Sequence, residues 1–279
     1  PMKRRLKILS VFLSTFLAAG LFTGCGNAAD LPDADMLFRE AMTNANALSS
    51  CDATYQSTLE ITFEGEKISF TSENTVTYAA SPFILKSFQT SDLAGASGQT
   101  ETYTAAEDDG IWVYANSGDG WTRTLAGELD TTPMTQIDIL RLIPQVAAQK
   151  MIRTEDTGGQ KAYKLELTLK SEVLRSAIEN IVTSTGIGEG SATIVDTLLA
   201  TAPELYGYAY ISAEDGQFLQ FDVDGAEALN TILSHIDGMD ASIKVNKYVL
   251  SGSLSSLNQA EAPVLPDEAK NGETISAVG

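Results

Sequence analysis

The sequence predicts an α+β fold, a long antiparallel sheet curved into a half-barrel with helices covering its concave face. Three observations carry that expectation. Residues 53–63 and 67–78 each alternate apolar and polar side chains with a period of two, over lengths well beyond the usual five or six. Further strand-like runs follow at short intervals, and a sheet of about ten strands with one apolar face curls rather than lying flat. Helical spacing appears only in short blocks between those runs, as covers for one face.

The elements follow in order. Lys3, Arg4, Arg5 and Lys7 precede an apolar stretch from Ile8 to Phe22, and small residues close it. That order is the pattern of a secretory signal over residues 1–24. The stretch is shorter than the roughly 20 residues of a spanning helix. Its end, Leu21-Phe22-Thr23-Gly24-Cys25-Gly26, resembles the lipobox of bacterial lipoproteins, with Phe22 in place of the usual Leu. The resemblance implies that Cys25 becomes the first mature residue and carries a diacylglyceryl thioether, with palmitate-type chains. The protein is then exported and held at the outer surface of the cell membrane, with residues 25–35 as a tether. An uncleaved anchor helix with an incidental cysteine is the competing reading.

Residues 36–48 place Leu37, Ala41, Ala45 and Leu48 on one helical face, with Asp33 or Asp35 as cap. The two long strands come next, with Gly65 at the hairpin between them. Strand-like runs at 83–90, 99–106, 111–115 and 121–125 follow, the last two joined by a turn at 116–120. Thr132-Pro133 opens a helix carrying Met134, Ile137, Leu140 and Ile143, which Pro144 ends or kinks and residues 146–149 extend. Strands resume at 151–155 and after Gly158-Gly159. Ser171 caps a second helical block, a glycine-rich break spans 186–190, and a third helix runs from Ser191 to Pro203. Strands at 206–211, 217–223 and 242–250 complete the pattern, with a short helix from Ala226 to Ile236. The domain is expected over residues 36–262, and residues 263–279 read as a flexible tail.

The formal charge is −19; the first 24 residues hold four Lys/Arg and no acid, leaving about −23 on the remainder. So acidic a chain excludes nucleic-acid binding through phosphates, and an anionic bilayer repels it, so the lipid must do the anchoring. The excess charge reads as a solvated, soluble surface, and the chain is expected to be a monomer. Beyond Cys25 the sequence has one thiol, Cys51, so a lipidated chain has no internal disulfide and no cysteine metal site.

His235 is the single histidine, without a HExxH pair or a G-x-S-x-G serine to serve. Ser-x-x-Lys, Walker and G-x-G-x-x-G patterns are absent from the sequence. The acidic runs 107–110 and 222–225 lack the late Glu of a calcium loop and read as turns. No enzyme activity, cofactor or metal is expected. Tyr206, Tyr208 and Tyr210, with Trp112, Tyr114 and Trp121, suit either sugar stacking or cross-strand packing, the simpler of the two.

Trp112-Val113-Tyr114, the turn Gly118-Asp119-Gly120, Trp121-Thr122 and the late run Lys244–Leu250 resemble the LolA/LppX-like lipoproteins. More narrowly, the layout over residues 36–265 resembles a family of surface lipoproteins of Gram-positive bacteria. The resemblance implies a half-barrel and helical lid enclosing an apolar cavity, hence a carrier or sensor that binds a lipid or other amphiphile. Trp112, Tyr114, Trp121, Leu140 and Ile143 are the candidates for lining it. The same apolar faces pack equally well into a solid core, which makes the protein a surface interaction or scaffold lipoprotein. A cell-wall or sugar hydrolase is a third reading, requiring two convergent carboxylates.

Overall fold

The computed structural model describes residues 31–186, 192–235 and 242–275. The signal region, Cys25 and the glycine-rich stretch 187–190 lie outside the described residues.

Alternating sequence becomes long strand wherever the pattern is cleanest. β1 (Ser50–Phe63) and β2 (Glu66–Ala80) pair along their whole lengths, from Ser50↔Ala79 to Phe63↔Glu66. Glu64 and Gly65 close the hairpin with φ of 51° and 89°, a left-handed pair that glycine makes affordable. A meander continues through β3 (Phe83–Leu93), β4 (Ala96–Glu107), β5 (Gly110–Asn116) and β6 (Trp121–Leu125). The second half supplies β7 (Val146–Thr157), β8 (Gln160–Leu169), β9 (Leu205–Ser212), β10 (Phe218–Asp224) and β11 (Ile243–Ser255), and β12 is Glu273–Thr274. All join one open sheet in the order β12-β6-β5-β4-β3-β2-β1-β11-β10-β9-β8-β7. Every pairing is antiparallel except the short β12–β6 contact. The class is therefore α+β, as the sequence predicts. The two halves of the chain meet at β1–β11, where Asp52 faces Ser255 across some two hundred residues of sequence.

The longer helices share one face of the sheet. α1 (Ala34–Asn46) begins where the Asp33 carboxylate accepts the Met36 amide at 2.9 Å, and it buries Leu37, Phe38, Ala41 and Ala45. It packs on β7 and β10, with Phe38 edge-on to Phe218 at 5.4 Å. α3 (Arg175–Thr185) follows a 3-10 turn at Ser171–Leu174, and α4 (Ala192–Leu199) is tied to it by Arg175, which bonds both Glu172 and Asp196. α5 (Ala226–Leu233) lies along β11; the expected last turn to Ile236 falls outside the described residues. The core cluster joins these helices to the inward residues Leu59, Ile61, Leu165, Leu167, Phe221, Val245 and Leu250.

Two expectations need correction. The helix expected from Thr132 to Gln149 is one turn, α2 (Pro133–Gln136), then a 3-10 segment at Leu140–Gln145. Pro144 has no amide hydrogen to give and crowds the preceding turn, so Val146 leaves directly into β7. The tail expected to be loose from 263 is built into the sheet. Its α6 (Asp267–Lys270) lies against β5 and β6, and β12 adds to the β6 edge. Gly272 is required there, because a Cβ would stand 2.7 Å from the Trp121 carbonyl oxygen.

Candidate functional site

Strand alternation and register sort the candidate residues between the two faces. Leu140 and Ile143 are fully buried in the main core, beneath the helices. Trp112, Tyr114 and Trp121 point to the other face, in a separate cluster with Tyr103, Leu265 and Ala269. The five candidates therefore do not line one cavity, since a sheet stands between them. Tyr114 is buried and its hydroxyl bonds Glu107; burial, then that bond, push its ionisation upward. Trp112 donates to Asp109 at 2.8 Å, and the Arg123 guanidinium sits 5.0 Å from its ring centre. Tyr103 and Trp121 meet at 5.9 Å. These rings hold the C-terminal segment, as cross-strand packing pairs.

On the inner face a narrow seam remains between the sheet and α3. Leu59, Phe70, Leu93 and Tyr248 face Ser176, Ala177 and Asn180 of α3 around about 50 Å³. A water needs about 10–15 Å³ of such space, so the seam takes a few waters and no bulky ligand. Tyr248 donates to the Val173 carbonyl at 3.1 Å, pinning the 3-10 turn to the sheet, and burial raises its ionisation strongly.

Towards β2 and β3 the inner face turns polar. Asn74 donates to Asp138 at 2.7 Å and receives the Ser87 hydroxyl at 2.7 Å, while Gln89 donates to Ser72 at 3.1 Å. Asp138 also pairs with Arg141 at 3.3 Å. The Tyr55 phenol is pushed up to about 12 by burial and then by Asp138. The alternation of apolar positions along β2 gives no sign of this patch, which needs Asn74 and Asp138, 64 residues apart, to be brought together.

The reactive candidates have structural places. Cys51 is buried, and burial followed by Asp52 pushes its thiol up to about 12, which keeps it protonated and unreactive. His235 is exposed, with Nδ1 at 2.8 Å from the Thr231 carbonyl at the end of α5. The two acidic runs are turns: Glu107 and Gly110 close the β4–β5 hairpin, and Asp224 accepts the Ala226 amide at 3.1 Å. Among the described residues no group of three His, Cys, Asp or Glu is placed to hold a metal ion. Burial raises the Asp222 carboxyl, and Gln220 donates to it at 2.8 Å.

No family model and no curated protein matches the sequence. Among solved structures the chain is similar to the Mycobacterium tuberculosis lipoprotein LppX, at 14% identity and a TM-score of 0.40, over 84% of this chain and 99% of that one. LprF from Mycobacterium bovis is similar at 15% identity and a TM-score of 0.43, over 86% and 98%. A putative outer membrane lipoprotein-sorting protein domain from Vibrio parahaemolyticus follows at 9% and 0.25, over 85% and 97%. No residue role or ligand passes from those proteins to this one.

Proposed function

We propose that the chain is a lipid-anchored, non-enzymatic lipoprotein of the extracytoplasmic membrane face, tethered through Cys25, whose packed domain is an interaction module. The narrowness of the seam beneath α3 supports the interaction reading. Ligand pockets commonly measure about 300–1,000 Å³, whereas the seam beneath α3 offers about 50 Å³. The charged start, apolar stretch and Thr23-Gly24-Cys25 ending support the anchor. One observation favours a second reading. The apolar seam at Leu59, Phe70 and Leu93 runs on to the polar side chains of Ser72, Asn74 and Gln89, an order that suits an amphiphile once α3 moves outward.

Organic extraction of the purified full chain, followed by mass spectrometry, separates the two. The interaction reading expects the covalent lipid on Cys25 and no stoichiometric free lipid; recovery of one amphiphile per chain transfers the assignment to the second reading. For the anchor, Cys25→Ala is expected to leave the protein unprocessed or released from membranes. Unchanged acylation and membrane retention in that variant would sink the anchor.

A further inference from the structure

The face of the sheet turned away from the helices is more than a solvated surface. A hollow of about 400 Å³ crosses β1–β4, lined by Gln56, Thr58, Glu73, Thr90, Asp92 and Gln99 among others. Register places Gln99, Thr90, Glu73 and Gln56 side by side in one row, and the row runs on through Ser251 to Asp222 and Tyr208. Phe88 starts the neighbouring row on the same face, two residues from Thr90. The exposed large aromatic side chains among the described residues are Phe88 (38%), Tyr206 (46%) and Tyr208 (37%), and strand alternation puts all three on this face. Of the helices, α6 lies on this side, at the β5–β6 end.

From these positions the geometry points to a docking surface for a neutral, extended glycan lying across the strands. Neighbouring strands are about 4.8 Å apart, and an extended β-linked polysaccharide advances by nearly that distance per sugar. Each sugar therefore meets one position of the row. Amide, hydroxyl and carboxylate groups supply both donors and acceptors for sugar hydroxyls. The ring of Phe88 and the side of the Tyr208 ring away from Lys164, whose ammonium lies 4.3 Å from its centre, offer stacking surface. Charge narrows the class. Glu73, Asp92 and Asp222 stand in or along the hollow's rows, while Lys86 is held by Glu101 and both Arg153 and Lys164 by Glu155. Lys67, Lys244 and Lys247 stand on the same face at the far end of β1, so it is along the hollow's own rows that a polyanion is repelled and a neutral glycan is not. The proposal deepens the interaction reading by naming a partner, yet binding in solution owes nothing to Cys25, so its failure and that of the anchor are separately visible.

The test is calorimetric titration of the full chain with neutral N-acetylated chito-oligosaccharides, dimer and hexamer. The hexamer is expected to bind more tightly than the dimer. Tyr208→Ala and Phe88→Ala are each expected to weaken it about tenfold, with thermal midpoints unchanged. No binding of the hexamer, or binding that both substitutions leave intact, overturns the proposal. So does a dimer of this chain in sedimentation that Tyr208→Ala dissociates, since the face then belongs to a second copy.

Discussion

Single side chains decide more of this structure than their sequence context advertises. Asn230 on α5 donates to the Val245 carbonyl at 2.9 Å and accepts the Val245 amide at 2.9 Å. Its amide thus acts as a strand segment where the β1–β11 register slips beside Glu60 and Ile61. Asn230→Ala leaves both backbone groups of Val245 without that partner, and we expect a loss of about 2 kcal/mol in urea denaturation. An unchanged midpoint contradicts the clamp. Cys51 makes a second prediction at this scale. A thiol held up to about 12 stays protonated in the folded state while the unfolded thiol ionises from about 9. Between those values the unfolded chain binds fewer protons, so stability is intact below that window and falls as pH rises through it. Tyr55, also raised to about 12, adds in the same direction. The urea midpoint should decline over that range, and Cys51→Ala should flatten the early part of the decline.

At the level of elements, the C-terminal segment shows how a sequence without pattern becomes structure. α6 is one turn and β12 two residues, too short for periodicity to register. What fixes them is a surface made elsewhere: Ala269 is fully buried against the cluster of Tyr103, Tyr114, Trp112 and Trp121, and Arg123 donates to Thr274 at 2.9 Å and to the Lys270 carbonyl at 3.1 Å. Both tryptophans of the chain lie under this segment. Deleting residues 266–275 is therefore expected to red-shift tryptophan emission while the main core keeps its unfolding cooperativity. Emission unchanged from the full chain would mean the segment does not cover them. Pro144 is the opposite case, a residue whose local veto on helix was legible while the strand beyond it was not, because Val146↔Leu169 pairing needs β8.

Across the whole molecule, β1 and β11 are the joint. β1 pairs β2 locally and β11 remotely, so the two halves of the sheet become one only when the late strand arrives. Long-range antiparallel pairing of this kind pays loop-closure entropy before it gains contacts. A chain ending at Ser242 lacks β11, exposing Leu59 and Ile61 on one side and Phe221 and Val223 on the other. We expect it to lose cooperative thermal unfolding altogether; a sharp transition retained in circular dichroism would show that the halves fold alone.

Sequence by itself determined the class of fold, the long β1–β2 hairpin, the start of α1 at Asp33 or Asp35 and the pattern around Cys25, because each is written in local residue patterns. Tertiary structure alone decided which face each aromatic occupies. Trp112, Tyr114 and Trp121 alternate as cleanly as any core strand, yet face away from Leu140 and Ile143, since period two says that residues share a side and not which side. It also decided that the seam beneath α3 is only about 50 Å³, because whether apolar faces close on one another or around a ligand is set by the distance between layers. The row from Gln99 to Tyr208 has the same origin: its members are scattered through the chain, and only the register of seven strands brings them into line.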